Sequence, residues 1–180
     1  MDLWVFGYGS LLWDPGFAPA ERLPARLADW HRSFCMLSVH HRGTEAEPGL
    51  VLALDAAPGA ECRGAALRVA PGEEAEVTEM LRARELISSA YVERMLPVTL
   101  SDGRVVGART YVIDPGHRQY CRLDPETQAR MIARARGGRG LNRDYLYATA
   151  AHLADEGMGE PDLDWLVGRV RALTSGHGDM

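Results

Sequence analysis

The order in which strand and helix patterns follow one another most constrains the fold of this chain. Strand-like apolar runs come first, and helical patterns dominate the last third. The predicted strands are residues 3–8, 30–39, 49–54, 63–69, 91–100 and 104–113. One helix interrupts them within residues 73–87, and further helices are predicted from 124 to about 136, 142 to about 156 and 162 to about 173. Without a regular βαβ alternation, this order predicts an α+β fold whose sheet curls into a small, mixed, barrel-like structure.

Turn and cap signals set the boundaries between these elements. A Pro-rich connection is predicted over residues 14–24, and Pro58-Gly59 is predicted to separate two strands. Ser101-Asp102-Gly103 is typical of a hairpin turn. Asp124 and Asn142 are the predicted N-caps of two C-terminal helices.

At 180 residues, the chain is expected to form one domain over residues 1–173, with a disordered tail at 174–180. The net charge of -5 argues against a nucleic-acid or membrane-surface partner, and no apolar run approaches the roughly 20 residues of a membrane span. The first residues lack the pattern of a signal peptide, and three widely spaced cysteines suit a reducing compartment. We therefore expect a cytoplasmic protein and make no prediction of its oligomeric state.

Two residue types limit the chemistry. All 20 basic residues counted as Lys or Arg are arginine, which excludes a Schiff-base lysine and a lysine-containing phosphate loop. His40 and His41 are adjacent at the end of a predicted strand, so their side chains point to opposite sides and do not favour a shared metal. No metal site is predicted.

The segment VFGYGSLLWDPGF, residues 5–17, places two glycines and a serine at the end of the first strand. Leu12 stands where a dinucleotide fingerprint needs its third glycine. Tyr8 and Leu12 stand where a nucleophile elbow around Ser10 needs glycine, so Ser10 is not predicted to be a hydrolase nucleophile. Two interpretations remain open: a plain structural turn, or a row of backbone N–H groups that binds an anion.

Three further residues allow both a structural and a functional interpretation. Arg42 is either a surface arginine or an arginine whose guanidinium binds a carboxylate through two hydrogen bonds. Glu85 is either solvated and paired with Arg82, or buried at a helix end beside apolar residues, where its pKa would rise into the range of a general base. Tyr145 is either a core aromatic or a hydroxyl donor to a pocket.

Considered together, these segments resemble those of the ChaC-type γ-glutamylcyclotransferases, in their bacterial form. The matching segments are VFGYGSLLWDPGF, SVHHRGT with a following PG, LRARELISSAY, VIDP and GLNRDYL, and they extend over nearly the whole chain. The resemblance implies a γ-glutamylcyclotransferase-like fold and a lyase activity on glutathione. In that reaction the substrate's own α-amine attacks its γ-carbonyl, which releases 5-oxoproline and cysteinylglycine without a metal or cofactor.

The resemblance also implies a role for each candidate residue. The backbone N–H groups of Tyr8, Gly9, Ser10 and Leu11 would bind the substrate α-carboxylate, and Glu85 would be the single base and acid. Arg42 and Tyr145 would contact the substrate. Because a glutamate of ordinary pKa is a poor base toward an ammonium group, we expect Glu85 to be partly desolvated.

Two alternatives remain open from the sequence. The chain could be a cyclotransferase for other γ-glutamyl amino acids or amines. It could also be a non-catalytic module that binds γ-glutamyl metabolites.

Overall fold

The computed structural model describes residues 2–86 and 89–175. The elements, in chain order, are β1 (Trp4–Gly7), α1 (Ser10–Trp13), β2 (Glu21–Ser38), β3 (Gly49–Arg68), α2 (Glu74–Glu85), β4 (Tyr91–Leu100), β5 (Val105–Ile113), α3 (Pro125–Arg134), β6 (Arg136–Gly137), β7 (Gly140–Leu141), α4 (Asn142–Asp155) and α5 (Pro161–Ser175). The chain divides into two compact units. The first comprises Met1–Ser33 and Ala53–Arg118, and the second Phe34–Leu52 and Gln119–Met180.

In the described part of the first unit, five strands close into a barrel in the order β1-β3-β2-β4-β5. Strand β1 pairs antiparallel with β3, where Trp4 lies opposite Arg68, and parallel with β5, where Trp4 lies opposite Ala108. The other described pairings are antiparallel, as between Ala25 of β2 and Leu100 of β4. The predicted α+β fold with a mixed, barrel-like sheet is therefore confirmed.

Inward-facing side chains from all five strands form the core of this barrel. Every residue of β1 is buried, which agrees with the continuous apolar run that predicted the strand. The core cluster consists of Trp4, Phe6, Tyr8, Ala25, Leu27, Leu54, Cys62, Ala66, Val98, Leu100, Ala108 and Val112. Val77 and Leu81 are the buried residues of α2, and the predicted i, i+4 spacing places both on one face of that helix.

The hairpin of β4 and β5 follows its prediction closely. Strand β4 has the predicted limits, and β5 begins at Val105, one residue later than predicted. Gly103 adopts φ = 94°, and its N–H donates to the carbonyl of Leu100 at 2.9 Å. This turn sets a register in which Tyr91 lies opposite Ile113.

The boundaries predicted for β2 and β3 are wrong. Strand β2 begins at Glu21 rather than Trp30, because the second half of the Pro-rich segment also pairs with the barrel. There the N–H of Ser101 donates to the carbonyl of Pro24 at 2.8 Å. Strand pairing therefore overrides the local signal of Pro24, whose missing N–H a strand end tolerates.

Pro58-Gly59 does not separate two strands either, since β3 runs continuously through it. Gly59 has φ = 84°, and the facing strand contains Asp29 with φ = 70°. The Gly59 N–H donates to the Asp29 carboxylate at 3.0 Å. The turn signal therefore produces a local distortion inside a strand rather than a chain reversal.

The second unit contains α3, α4, α5 and the short pair of β6 and β7. Asp124 is the predicted N-cap of α3, and its carboxylate accepts from the N–H of Thr127 at 3.1 Å. The cap predicted at Asn142 is wrong, because Leu141 precedes α4 and Asn142 is its first residue. Helix α5 continues through Ser175, two residues into the predicted tail, and residues 176–180 lie outside the described residues.

Candidate active site

Glu85 is the last residue of α2, and its carboxylate is removed from most of the solvent. Its side chain is 16% exposed. Burial raises the pKa of Glu85 above its ordinary value, while the neighbouring Arg84 guanidinium acts in the opposite direction. The Arg84 Nε lies 3.6 Å from Oε1 of Glu85. The expectation of a partly desolvated Glu85 is confirmed, and pairing with Arg82 is not observed: Arg82 bonds Glu93 instead.

The raised pKa predicts how stability depends on pH. A carboxyl whose pKa is higher in the native protein than in the unfolded chain stabilises the native state fully below the unfolded pKa, and this contribution is lost as the pH rises through the native pKa. The free energy of unfolding of Glu85→Gln minus that of wild type should therefore increase as the pH rises from the unfolded to the native pKa of Glu85. Above the native pKa, this difference should stay constant. Urea unfolding of both proteins at a series of pH values measures this difference, and a constant difference contradicts the prediction.

The first loop, residues 8–14, follows β1 and includes α1, a single turn of helix that the sequence did not predict. The N–H of Leu12 donates to the carbonyl of Gly9 at 2.8 Å, and that of Asp14 to Ser10 at 2.7 Å. Leu11 and Leu12 are buried, so their side chains hold the turn against the protein. The N–H groups at the start of such a turn have no acceptor within the turn itself.

Glycine is favoured where this turn returns over β1, because the space there is tight. A side chain on Gly7 would place its Cβ 3.1 Å from the backbone of Leu11 and Leu12. The backbone is less crowded at Gly9, where a Cβ would have no described atom within 4 Å apart from those of Gly9 and its two chain neighbours. Ser10 is exposed, so the backbone at Gly9 and Ser10 borders open space.

Tyr8 contributes to this loop differently from its neighbours. Its side chain is buried in the barrel core, and its hydroxyl donates to the carbonyl of Tyr111 at 2.8 Å. The buried Arg32 donates from Nε to the carbonyl of Tyr8 at 3.1 Å and, through a second nitrogen, to the carbonyl of Arg63. Sequence reasoning did not single out Arg32, because nothing in its local pattern separates it from the other arginines.

Arg84 connects the end of α2 to the first loop. Its Nη1 donates to the carbonyl of Asp14 at 2.7 Å, and its Nη2 donates to Oγ of Ser10 at 3.0 Å. The same guanidinium forms the ion pair with Glu85 described above. The structure therefore places Glu85 and the first loop, which are about 75 residues apart in sequence, on the two sides of one arginine side chain.

A second polar network lies next to Glu85 and was also missed. The hydroxyl of Tyr111 donates to Glu93 at 2.9 Å, and Glu93 also pairs with Arg82 at 3.0 Å and with Arg109 at 3.5 Å. Burial and Glu93 raise the pKa of Tyr111, and the nearby charge of Glu85 raises it further. The sequence did hold a signal, because a hairpin centred on Asp102 places Glu93 opposite Tyr111.

Arg42 and Tyr145 contact each other in the second unit. The Arg42 guanidinium carbon lies 5.7 Å from the centroid of the Tyr145 ring, and Nη1 donates to the carbonyl of Leu141 at 3.2 Å. The Tyr145 hydroxyl accepts from the N–H of Leu52 at 3.1 Å, and its ring packs edge-on against Phe34. Tyr145 thus has both a packing role and a hydrogen-bonding role, and substrate contact by either residue stays a prediction.

The described residues contain neither a cluster of metal-binding side chains nor a membrane-spanning helix. Within residues 2–86 and 89–175, no group of three or more His, Cys, Asp or Glu side chains could hold a metal ion. No helix in the same ranges has the length and apolar composition needed to cross a membrane.

Comparison with known proteins agrees with the resemblance drawn from the sequence. The model of a family described as ChaC-like protein matches residues 3–173. The chain is 37% identical to the glutathione-specific γ-glutamylcyclotransferase of Escherichia coli K12, over 95% of this chain and 74% of that protein. It is 32% identical to γ-glutamylcyclotransferase 2-3 of Arabidopsis thaliana, over 97% of this chain and 92% of that protein.

A solved structure supports the fold in particular. The crystal structure of a yeast γ-glutamylcyclotransferase specific to glutathione is similar with a TM-score of 0.84 and 23% identity. The match covers 98% of this chain and 99% of the yeast chain. From the sequence matches and this shared fold, we conclude that the chain belongs to the ChaC-like protein family.

Proposed function

We propose that this protein is a glutathione-specific γ-glutamylcyclotransferase that converts glutathione to 5-oxoproline and cysteinylglycine. Membership of the ChaC-like family supports the reaction class, and the name of the Escherichia coli relative supports the substrate. The observation that carries the proposal is the largely buried Glu85 carboxyl, joined to the first loop through Arg84, with its pKa raised by partial burial.

The reaction is an internal displacement. The α-amine of the γ-glutamyl group attacks the γ-carbonyl carbon, a C–N bond closes the five-membered lactam, and the amide bond to cysteine breaks. Glu85 accepts a proton from the α-ammonium group, which frees the amine for attack, and delivers it to the departing nitrogen of cysteinylglycine. The second proton that the attacking nitrogen loses on lactam formation balances the one that the released amine takes up to become an ammonium group. No bond to the enzyme forms and no electron is transferred, so the chemistry calls for neither a cofactor nor an enzyme nucleophile. This agrees with a chain that has no lysine.

Binding must hold the γ-glutamyl chain bent for this attack. Well-oriented intramolecular reactants reach effective molarities of about 10⁵ M or more, so orientation alone supplies much of the acceleration. In the proposed complex the backbone N–H groups of Tyr8 to Leu11 bind the α-carboxylate, and the open space at Gly9 supports close approach of the ligand. Arg42 and Tyr145 are proposed as further substrate contacts.

Purified protein incubated with reduced glutathione is expected to form 5-oxoproline and cysteinylglycine in equal amounts, as measured by mass spectrometry. γ-Glutamylalanine, tested in parallel, is expected to yield far less 5-oxoproline. Comparable yields from both compounds would assign the chain to the broader class of γ-glutamyl cyclotransferases. Binding of glutathione without product over a long incubation would instead indicate a binding module.

We also propose that the enzyme acts in the cytoplasm. The proposal is supported by the cysteine content, since three widely spaced cysteines suit a reducing compartment.

A further inference from the structure

We propose that Arg84 is a positioning residue that holds the Glu85 carboxylate and the substrate-binding first loop in a fixed relation to each other. The proposal rests on the proposed function, because the reaction requires the base on one side of the substrate and the α-carboxylate site on the other. It adds a residue that no pattern in the sequence had indicated.

The geometry supports a bridging role. One guanidinium makes three contacts: 2.7 Å to the carbonyl of Asp14, 3.0 Å to Oγ of Ser10 and 3.6 Å to the carboxylate of Glu85. Bonds from a charged donor are about twice as strong as neutral ones, and the planar fork of arginine fixes direction as well as distance. The side chain is only 30% exposed, so solvent screens these contacts incompletely.

The packing around Arg84 brings the same two segments together. Gly16, which follows the first loop, has φ = 81°, and a Cβ at that position would lie 3.2 Å from the Met80 side chain of α2. The same Cβ would lie 3.6 Å from Nη1 of Arg84. The segment that follows the loop thus lies so close to α2 that an added Cβ would crowd Met80, and the polar contacts of Arg84 join the loop to the end of the same helix.

The charge of Arg84 acts on the base as well. Among the described residues, Glu85 interacts electrostatically with Arg84 of its own helix and with the Tyr111 phenol of β5. In the first loop, Ser10 is uncharged, and Asp14 is exposed, so solvent screens the charge of its carboxylate. Arg84 lowers the pKa of Glu85 against the effect of burial, which keeps the ionised form available to accept a proton.

Arg84→Gln tests both effects in one protein. Loss of the two loop contacts should raise KM for glutathione about tenfold, because hydrogen bonds from a charged group are lost. Loss of the charge should move the acid limb of the kcat–pH profile to higher pH. On the plateau above that limb, kcat should change by less than about threefold, since the base itself is intact. The matched control is Arg26→Gln, which removes an exposed guanidinium from β2 and should leave KM and the pH profile unchanged.

Arg84→Lys separates the two effects. Lysine restores the positive charge, so the acid limb of the kcat–pH profile should return to its wild-type position. Lysine lacks the planar guanidinium that donates to both Ser10 and Asp14, so KM should stay raised. If Arg84→Gln does not fold, this split in Arg84→Lys decides the question alone. The proposal is overturned by either an unmoved acid limb or a wild-type KM in a folded Arg84→Gln protein.

Two measurements keep this result distinct from the proposed function. Amide hydrogen exchange at residues 10–14 should be faster in Arg84→Gln, and carbon NMR of the Glu85 carboxyl should show titration at higher pH than in wild type. If wild-type protein forms no 5-oxoproline from any γ-glutamyl compound, the proposed function fails. The exchange rates and the titration still establish or reject the bridging role of Arg84.

Discussion

Glu85→Gln is expected to fold and to bind glutathione with a Kd within about threefold of wild type, but to lose about a thousandfold in kcat for 5-oxoproline formation. Glutamine has nearly the shape of glutamate but no titratable carboxyl group. It can therefore fill the same buried position but cannot take the proton from the substrate ammonium. Positioned general acids and bases contribute roughly 10²- to 10⁴-fold to enzymatic rates, and here a single carboxyl is assigned both steps.

The size of this loss depends on the burial of Glu85. A side chain that is 16% exposed leaves little room for bulk water to replace the missing base. The raised pKa also means that the wild-type rate should fall at acid pH, as the carboxyl becomes protonated. Glu85→Gln should lack this acid limb in its residual activity.

Glu76→Gln is the matched control, since it makes the same change at an exposed position of the same helix. Its kcat and KM should equal those of wild type. Circular dichroism and calorimetric binding of glutathione establish that Glu85→Gln is folded and binds its substrate. Substantial turnover by a folded Glu85→Gln protein would show that another group is the base.

Asn142→Leu should lower the free energy of unfolding by about 2–6 kcal/mol, the largest stability loss we expect from one substitution. Asn142 is fully buried at the first residue of α4. Its Oδ1 accepts from the N–H of Leu50 at 2.9 Å, and its Nδ2 donates to the carbonyl of the same residue at 2.8 Å. The amide therefore satisfies both backbone groups of a buried strand residue.

Leucine preserves most of the side-chain volume but removes both hydrogen-bond partners. Each buried backbone group left unsatisfied costs about 1–3 kcal/mol, and Leu50 would have two. Little room remains for water to replace the amide, since a Cβ on Gly49 would lie only 2.9 Å from Oδ1.

Urea denaturation measures the loss in Asn142→Leu. Ala148→Gln, at an exposed position of α4, is the control and should change stability by about 0.5 kcal/mol or less. A loss in Asn142→Leu as small as that of the control would show that the Leu50 bonds contribute little.

The comparison of prediction and structure separates local from non-local causes. The β4–β5 hairpin, α2 and the Asp124 cap were predicted correctly because neighbouring residues determine each of them. The start of β2 was missed because Pro24 pairs with Ser101, a residue far away in the chain. Asn142 was predicted to cap α4 because asparagine is a common N-cap. In the structure its side chain instead forms hydrogen bonds with Leu50, 92 residues away in the chain.

The same distinction holds at the candidate site. The sequence by itself determined the chemical groups: a glycine-bordered first loop, a carboxylate at the end of α2, and the family to which both belong. Only the tertiary structure decided that this carboxylate is largely buried, that Arg84 joins it to Ser10 and Asp14, and that its charge acts on Tyr111. The physical reason is that burial and charge proximity are sums over contacts between distant segments, and these contacts exist only once the barrel has closed.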